Sequence, residues 1–410
     1  MIRSMPIGSP LHDRTMPLCE TLSVRDWAGY YAVSAYEARH EHEYHAIRNA
    51  AALIDISPLF KYIVSGPDAA RLINRVITRD ASRMQVGQVI YTPWCDEHGR
   101  ILDDGTVSRL DDQRFRWTAA EPNLRWITRH AARLDVKIDD VSERLAAVAL
   151  QGPTSAHVLQ HVADVDVGGL KYFRVTRGAI AGRRVEISRT GYTGDLGYEI
   201  WADRRDAGAV WDALMARGRA FGIRPVGLLA LDVARIEAGL LLIDVDFVSA
   251  RKAMTQAQRY SPFEMGLGRL VDLSKDRFIG RAALAVEQQR GPRRQIVGLV
   301  VDWPEVEALY AASGLPPLAE PAASRVAVPV FQRGQQIGRM TSSTWSPVLK
   351  QMIGLATVDA AAAAPGVRIE VEHTVEAVRH RVSALVTPTP FFKPARKTQA
   401  PLDLRPRASG

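Results

Sequence analysis

Residues 188–201 read SRTGYTGDLGYEIW, a stretch that combines a predicted strand, a glycine-spaced loop and a second strand. A glycine at every third position lets the backbone take positive φ or come close to a flat ligand. Tyr192 and Tyr198 offer aromatic rings, and the Glu199 carboxylate can accept two N–H donors side by side. The pattern indicates a ligand cradle. The same residues also fit a β-hairpin with Glu199 on its solvent face, so the assignment depends on the rest of the chain.

Composition places the chain among folded globular proteins. Its 410 residues are too many for one ordinary core, so two or three domains are expected. Cys19 and Cys95 are its only cysteines and lie in no CxxC or Cys/His cluster, which predicts neither a disulfide framework nor a structural zinc site. His40, His42 and His45 cluster without partners at metal-ligand spacings, so no metal site is predicted.

The expected localisation and the net charge of the chain limit the classes of partner that it could bind. Residues 1–20 lack the apolar core of a signal peptide, and no run approaches the ~18 apolar residues that a membrane span requires. A cytoplasmic protein with no membrane partner is expected. The net charge of +8 suits an anionic ligand or a polyanionic partner. However, the basic residues are scattered among acidic ones and no nucleic-acid-binding motif occurs, so nucleic acid is not expected as a partner.

The order of the predicted elements favours the α+β class. Short β runs and amphipathic helices mix along residues 26–285 without regular βαβ alternation, and no phosphate-binding GxGxxG motif supports a Rossmann domain. Pro/Gly and charge punctuation near 286–295 marks a boundary, after which recurring β runs over residues 295–393 predict a small antiparallel barrel. Residues 1–25 are expected to be poorly ordered, and the basic, Pro-rich residues 394–410 to be disordered.

A second candidate site is the segment GRILDDGTVSRL at residues 99–110, which carries two adjacent carboxylates. In a strand, Asp103 and Asp104 point to opposite faces, so they cannot share a proton as a catalytic dyad would. At most one of them enters a pocket. The alternative for either residue is that its side chain stabilises a turn before Gly105.

Taken together and in order, several stretches resemble the tetrahydrofolate-dependent aminomethyltransferase family, whose namesake is the T-protein of the glycine cleavage system. They span roughly residues 40–350 and read HAIRNAAALIDIS, VGQVIYTPWCDEHGRILDDGTV, AAVALQGP, SRTGYTGDLGYEIW, DVARIEAGLLL, RFIGRAAL and TSSTWSPVLKQMIGLA. The resemblance implies a three-domain cloverleaf around a central folate channel. Two intertwined α+β domains within residues 26–285 would bind the folate, and the barrel would form the C-terminal domain.

The same resemblance implies tetrahydrofolate as the cofactor and assigns roles at matching positions. Asp103 is the implied catalytic carboxylate beside N5, able to take the proton that N5 loses as it attacks a one-carbon unit. Glu199 would hold the amino edge of the pterin through charge-assisted bidentate contacts. The other implied cofactor-binding residues are Tyr91 and Tyr192, which would line the channel, and Arg235, which matches the family's helix motif. The glutamate tail of folate would need a cation near the channel mouth, which Arg396 or, alternatively, Lys393 could supply.

Two departures from the family pattern border the expected channel. Leu231-Asp232 stands where the family usually has an Arg-Asp pair, so a basic contact is missing. Residues 119–121 read AAE where an asparagine-bearing segment is common. These departures indicate that the one-carbon donor could differ from the lipoyl-bound aminomethyl group.

The leading hypothesis is therefore a tetrahydrofolate-dependent one-carbon transferase, in which N5 accepts a methylene or methyl unit from a small-molecule or lipoyl-carrier-bound donor. The first alternative is a tetrahydrofolate-dependent O-, N- or S-demethylase on the same fold. The second is a non-enzymatic folate-binding accessory protein, against which the absence of cysteine from KDRFIGRAAL counts. A flavin-dependent demethylase would need a dinucleotide-binding motif that the chain lacks. A monomer or weak oligomer is expected.

Overall fold

The computed structural model of this chain describes residues 5–401. Its strands, in chain order, are β1 (Val24–Trp27), β2 (Tyr30–Val33), β3 (Ala51–Asp55), β4 (Phe60–Ser65), β5 (Val89–Cys95), β6 (Ile101–Asp111), β7 (Arg114–Ala119), β8 (Lys137–Asp140), β9 (Leu145–Gln151), β10 (Val175–Ile180), β11 (Arg183–Ser188), β12 (Gly197–Asp203), β13 (Ile223–Pro225), β14 (Arg294–Val301), β15 (Val328–Gln332), β16 (Gln335–Ser346), β17 (Gln351–Asp359), β18 (Arg368–Val375) and β19 (Val378–Thr387).

The α-helices, in the same order, are α1 (His12–Thr15), α2 (Glu41–Asn49), α3 (Ala69–Val76), α4 (Leu124–His130), α5 (Ser155–Gln160), α6 (Ala207–Gly218), α7 (Leu228–Glu237), α8 (Arg281–Arg290) and α9 (Trp303–Ala312). Helices and mostly antiparallel sheets mix along the chain, which confirms the α+β class. No helix in residues 5–401 is long and apolar enough to cross a membrane.

The first sheet has the strand order β5-β6-β7-β4-β8. Period-two alternation gives it two different faces. Its outer face is apolar and packs under α3 and α4 in a core that includes Tyr62, Val107 and Trp117. Its inner face is largely polar, because the register aligns Thr106 with Thr118 and Thr118 with Lys61.

The second sheet has the strand order β10-β11-β12-β9-β3-β13. One face packs against α5 and α6 through residues such as Leu150, Tyr198 and Ile200. The other face presents Ala147, Ala149 and Trp201 to a core shared with α2 and α7. An apolar cluster with members from both sheets shows that the two inner faces meet.

The C-terminal strands close into an antiparallel barrel with the order β14-β17-β16-β15-β18-β19. Alternating apolar residues fill its interior, including Leu299, Val330 and Val382. Helix α7 lies between the barrel and the second sheet, in contact with β16 and β17. The barrel and the mixed sheets together confirm the cloverleaf fold class, as the structural comparison below shows.

The expected disorder at the two chain ends stays a prediction, and over the part that the structure describes both ends contact the folded core. Near the N-terminus, β1 and β2 form a hairpin and Leu11 joins the core of the second sheet. At the C-terminus, Ala395–Lys397 form a short 3₁₀ helix. This segment is ordered because Arg189 donates to the main-chain oxygens of residues 396, 397 and 399. Residues 1–4 and 402–410 lie outside the described residues.

Candidate active site between the two sheets

The strand registers bring candidate residues from distant sequence segments onto facing surfaces. In the first sheet, pairing of Tyr91 with Thr106 places the side chains of Tyr91 and Asp104 on the inner face. In the second sheet, Glu199 pairs with Ser188 on one side and Ala149 on the other, so it also lies on the inner face. The candidates Tyr91 and Glu199 therefore lie on the inner faces of the two sheets.

Asp103 faces away from this layer. Its strand partner is Trp94, a core residue of the helix-covered outer face, and Asp103 itself is fully buried. Its carboxylate accepts hydrogen bonds from the main-chain N–H groups of Asp104 (2.8 Å) and Glu121 (3.0 Å) and from Asn123 Nδ2 (2.8 Å). Such a carboxylate organises the segment before α4 and is closed off from the space between the sheets.

Asp104 is the carboxylate that faces the inner layer. Its side chain is only partly buried, and its Oδ2 accepts a 2.5 Å hydrogen bond from Tyr91 Oη. Burial raises the pKa of Asp104 to about 6, against the lowering effect of the Tyr91 hydroxyl. Burial and the Asp104 charge raise the pKa of Asp103 well above 3.8. The Asp104 carboxyl thus has accessible geometry and a pKa suited to proton transfer near neutral pH.

Glu199 lies partly exposed on β12, opposite the first sheet. Thr190 Oγ1 donates a 2.7 Å hydrogen bond to Glu199 Oε2. Burial raises the pKa of Glu199, while the Thr190 hydroxyl and the charge of Arg116 oppose that shift. Its second carboxylate oxygen carries no protein hydrogen bond among the described residues, so Glu199 retains capacity to accept N–H donors from a ligand.

Arg116 is a buried cation of this layer that sequence reasoning missed. It extends from β7 to form an ion pair with Glu186 on β11, and its guanidinium lies 4.2 Å from the centre of the Trp201 ring. Its Nε has no hydrogen-bond partner among the described residues. The positive charge beside Glu199 favours the ionised carboxylate there. In a strand where polar and apolar residues alternate, an arginine looks like any other polar residue. The sequence therefore does not indicate that Arg116 is buried.

The loop between β11 and β12 is fixed by a side chain from another motif. Gln151, the glutamine of AAVALQGP, donates from Nε2 to the main-chain oxygens of Thr190 (3.2 Å) and Tyr198 (3.3 Å). A Cβ on Gly191 or Gly197 would lie 2.0 Å and 2.3 Å, respectively, from atoms of Gln151. These two glycines therefore make room for Gln151. The loop is shaped by close packing inside the protein before any ligand is considered.

The two tyrosines predicted to line a channel lie close to each other. Tyr91 and Tyr192 are both partly buried and interact electrostatically. Tyr192 donates its hydroxyl hydrogen bond to the main-chain oxygen of Leu241, which fixes the ring against the segment that follows α7. Burial raises the pKa of both phenols, so both are neutral hydrogen-bond donors at ordinary pH.

Arg235 is committed to contacts within the protein. Its guanidinium is buried and binds Asp232 (2.8 Å), Asp246 and Ser342 Oγ (2.8 Å). Coupling to these carboxylates raises the pKa of Arg235 against the opposing effect of its burial. Because Ser342 belongs to β16, the residue joins α7 to the barrel. This arrangement differs from the expected contact with a cofactor.

Arg396 is also bound to groups within the protein. Its guanidinium forms a bidentate ion pair with the buried carboxylate of Asp195, at 2.7 Å and 2.8 Å. It also donates to the main-chain oxygen of Arg48 at 3.2 Å. Arg48 in turn is buried and binds Glu237 at 2.6 Å, tying α2 to α7. Lys393, the alternative tail-binding cation, is exposed.

Side chains near both departures are bound by groups from other segments. Asn123, beyond the AAE segment, supplies an amide to Asp103 and accepts hydrogen bonds from Trp94 Nε1 (3.1 Å) and Arg251 (2.7 Å). Arg325, from the segment between α9 and β15, binds the second oxygen of Asp232.

Comparison with known proteins gives two family-level matches. The protein-family model described as the GCVT N-terminal domain matches residues 21–275. The model described as the glycine cleavage T-protein C-terminal barrel domain matches residues 314–393.

Individual relatives cover most of the chain. It is 34% identical to an aminomethyltransferase of Bacillus pumilus over 365 residues, covering 87% of this chain and 91% of the relative. It is 36% identical to a trimethylamine-oxide aldolase of Ruegeria pomeroyi over 367 residues, covering 86% of this chain. The matched region spans only 43% of that second relative's length.

A solved structure has the same fold. The glycine cleavage system aminomethyltransferase T of Bartonella henselae superposes with a TM-score of 0.80 at 24% sequence identity. The match covers 94% of this chain and 98% of the other. The mixed sheets and the closed barrel therefore form the same overall architecture in both proteins.

Proposed function

Because this chain belongs to the GCVT family of glycine cleavage T-proteins and their enzymatic relatives, we propose that it is a tetrahydrofolate-dependent one-carbon transferase. The observation that carries the proposal is that Tyr91 and Asp104 lie on the inner face of one sheet while Glu199 lies on the inner face of the sheet opposite. A proton-accepting carboxylate and a separate hydrogen-bonding carboxylate are what a pterin with a reactive ring nitrogen requires.

The described residues fit a reduced pterin. Glu199 has free acceptor capacity toward the amino edge, where two parallel N–H groups pair well with one carboxylate. Tyr91 and Tyr192 supply aromatic surface close by. We therefore assign Glu199, Tyr91 and Tyr192 to the pterin, and give Arg235 and Arg396 positioning roles because their guanidinium groups already bind buried carboxylates.

We propose Asp104, rather than Asp103, as the catalytic carboxylate. Asp104 lies on the inner face and is hydrogen-bonded to Tyr91, whereas Asp103 is enclosed by three N–H donors on the outer face. Asp104 would accept the proton that N5 gives up, and Tyr91 would hold the carboxylate in place. Tetrahydrofolate would supply N5 as the nucleophile that accepts the one-carbon unit while the bond to the donor's nitrogen, oxygen or sulfur breaks.

Two donor classes are compatible with the family. The aminomethyltransferase relatives favour an aminomethyl group on a lipoyl carrier, with methylene-tetrahydrofolate as the product. The similarity to a trimethylamine-oxide aldolase favours a small methylated donor as the second candidate. Leu231 packs in the apolar cluster that Tyr192 contacts, and Ala120 packs in the one that Tyr91 contacts. These departures support testing the second class on equal terms.

The test combines a donor panel with a folate-binding measurement. Purified protein is incubated with tetrahydrofolate and either loaded carrier protein or small methylated amines and sulfonium compounds, and the folate product is identified by mass. We expect one methylene- or methyl-tetrahydrofolate product per competent donor. We expect the Glu199→Gln variant to weaken tetrahydrofolate binding by about 1.5–3 kcal/mol in calorimetry, as for loss of a charge-assisted hydrogen bond. Unchanged folate affinity in this variant would remove Glu199 from the site.

A further inference from the structure

Polar side chains surround Glu199 on the inner face of the second sheet. Glu199 on β12 pairs with Ser188 on β11, and Trp201 pairs with Glu186 two residues further along the same two strands. Because side chains two residues apart in a strand share a face, all four lie on the inner face. The register therefore brings a hydroxyl and an indole N–H next to the carboxylate assigned to the pterin.

A continuous chain of hydrogen bonds leads from Trp201 to Glu199. Thr190 Oγ1 donates to Glu199 Oε2 at 2.7 Å, and Ser188 Oγ lies 2.9 Å from Thr190 Oγ1. Trp201 Nε1 donates to Ser188 Oγ at 3.4 Å. Trp201, Ser188 and Thr190 are buried, whereas Glu199 is partly exposed. The carboxylate is therefore the open end of a chain that the protein otherwise encloses.

The chemistry of each group sets the direction of this chain. An ionised carboxylate only accepts, an indole N–H only donates, and each hydroxyl has one hydrogen to give. Thr190 gives its hydrogen to Glu199 and so accepts from Ser188. Ser188 Oγ also lies 3.3 Å from the main-chain oxygen of Glu199, which is longer than its distance to Thr190. Each donor thus points toward the carboxylate, and hydrogen bonds aligned in this way strengthen one another.

Arg116 covers the far end of the chain. Its guanidinium carbon lies 4.2 Å from the centre of the Trp201 ring, a contact that polarises the ring and its N–H group. Arg116 shares the Glu186 carboxylate with Arg177, whose Nε lies 3.9 Å from the other oxygen. The ion pair therefore leaves part of the Arg116 charge uncompensated, and this charge favours the ionised form of Glu199.

Other ionisable groups belong to the strands around Glu199. Lys61 on β4 and Arg114 on β7 interact with the charge of Arg116, and Asp104 on β6 lies on the facing sheet. Burial raises the pKa of Glu199, and the Thr190 hydroxyl and the Arg116 charge oppose this shift. The chain thus acts against the burial that would otherwise neutralise the carboxylate.

From this arrangement we infer that Trp201, Ser188 and Thr190 are positioning residues that hold Glu199 as a fixed, ionised acceptor for the N–H groups of the ligand. Arg116 supports the chain through its contact with the Trp201 ring. The effect on binding rests on the proposed assignment of Glu199 to the pterin. The state of the Glu199 carboxylate can be measured without folate.

The first experiment measures that state in the protein alone. Glutamate side-chain carboxyl carbons are labelled with carbon-13, the Glu199 signal is assigned from its loss in Glu199→Gln, and its pKa is read from an NMR titration. In Ser188→Ala and in Trp201→Phe we expect the Glu199 pKa to rise by about 0.5–1 pH unit, as for the loss of one supporting hydrogen bond. Trp201→Phe keeps an aromatic ring for Arg116 and removes the N–H donor. Ser188→Thr keeps the hydroxyl and should restore the pKa of the unaltered protein.

The second experiment measures folate binding by titration calorimetry between pH 5 and pH 8. The affinity of each variant for tetrahydrofolate is compared with that of the unaltered protein at the same pH, so that titration of the folate itself cancels. A protonated Glu199 is a poorer acceptor for the ligand, and a raised pKa extends this form to higher pH. The loss of affinity in Ser188→Ala should therefore be about threefold or more larger at pH 5 than at pH 8. A purely structural role for the hydroxyl would lower affinity by the same factor at every pH.

Ser155→Ala is the matched control, because Ser155 is a buried serine on α5 whose hydroxyl donates to the main-chain oxygen of Leu196 at 3.5 Å. It should change neither the Glu199 pKa nor the pH dependence of binding. An unchanged Glu199 pKa in both Ser188→Ala and Trp201→Phe, or a loss of affinity that is independent of pH, would overturn the inference. If the unaltered protein does not bind tetrahydrofolate, the proposed function is refuted, and the NMR titration still decides the inference.

Discussion

The peptide unit between Asp103 and Asp104 separates two carboxylates with opposite surroundings. Asp103 points into the helix-covered core and is satisfied by three N–H donors, whereas Asp104 faces the second sheet and binds Tyr91. A one-residue difference in a strand reverses the face of the side chain. Because both residues are aspartates, their chemical identity alone could not show which of them faces the second sheet.

Asp104→Asn should reduce turnover by about 100-fold or more, because an amide cannot accept the N5 proton. Thermal unfolding should remain close to that of the unaltered protein. Asp103→Asn should instead lower the free energy of unfolding by about 1–3 kcal/mol, since an amide cannot satisfy the same buried N–H donors. Steady-state kinetics and denaturant titrations on both variants measure the contrast. The reverse pattern would restore Asp103 to the catalytic role.

The pH profile should report the Asp104 carboxyl. Burial raises its pKa to about 6, and the basic form that accepts a proton is populated above that value. The ratio kcat/KM should therefore fall about tenfold per pH unit below pH 6. In Tyr91→Phe the inflection should move to higher pH, because the Tyr91 hydroxyl stabilises the carboxylate. A flat profile down to pH 5 would contradict the assignment.

At the scale of elements, the glycine-spaced loop and the AAVALQGP strand are one structural unit. Gln151 from β9 binds main-chain oxygens on both sides of the loop, and Thr193 Oγ1 donates to Gln151 Oε1 at 2.8 Å. The glycine spacing that suggested approach of a flat ligand instead accommodates this amide. Glu199 emerges at the end of the unit in a fixed orientation.

Gly197→Ala should lower the free energy of unfolding by about 1–3 kcal/mol, because the new methyl group would overlap Gln151. Chemical denaturation measures the change. Gly208→Ala is the control: it lies in α6, where the nearest atom to its Cβ is 3.4 Å away, and alanine favours a helix interior. This control substitution should leave the free energy of unfolding unchanged or raise it by up to about 1 kcal/mol. Equal stability of both variants would argue against the packing role of Gly197.

The inner face of the first sheet also contains a buried lysine. Lys61 Nζ donates to the main-chain oxygen of Ser57 at 2.6 Å, and burial lowers its pKa to about 7. Between pH 7 and about 10 the unfolded chain binds a proton that the folded protein does not. Stability should therefore rise with pH across this window.

Lys61→Met should raise the free energy of unfolding at pH 7 by about 1–3 kcal/mol, because it removes the cost of burying an ammonium group. The gain should shrink as the pH rises toward the unfolded pKa of 10.5, above which the lysine is neutral in both states. Urea titrations at several pH values measure this dependence. Lys137→Met, at an exposed position on β8, should show no comparable trend. A pH-independent difference for Lys61→Met would contradict the assigned pKa.

At the scale of the whole molecule, buried ion pairs join the parts that surround the proposed site. Arg235 connects α7 to the barrel, and Arg48 connects α2 to α7 through Glu237. Arg396 fastens the C-terminal segment to Asp195 in the glycine-spaced loop. The C-terminal segment and the middle of the chain are thereby coupled.

Arg396→Gln should loosen the C-terminal segment, because Asp195 would keep only the hydrogen bond from the main-chain N–H of Leu196, at 2.8 Å, and its longer ion pair with Arg48, at 3.4 Å. Amide hydrogen exchange over residues 391–401 should accelerate by about tenfold or more, the factor expected for about 1.4 kcal/mol of lost protection. Lys393→Gln is the control in the same segment and is exposed. Unchanged exchange in Arg396→Gln would show that other contacts hold the segment.

The sequence by itself determined the family, the α+β class, the C-terminal barrel and the candidates Tyr91, Tyr192 and Glu199. These follow from local patterns: alternation in strands, turn residues and motif order along the chain. A single sequence also showed that Asp103 and Asp104 face opposite ways.

Only the tertiary structure decided which carboxylate faces the second sheet, and which arginines are already occupied. It placed Gln151 behind the loop, Arg116 beside Glu199, and Arg325 against Asp232. The physical reason is that burial and pairing of a charge depend on residues distant in sequence. Their separation in space is set by sheet register and domain packing, which no local pattern contains.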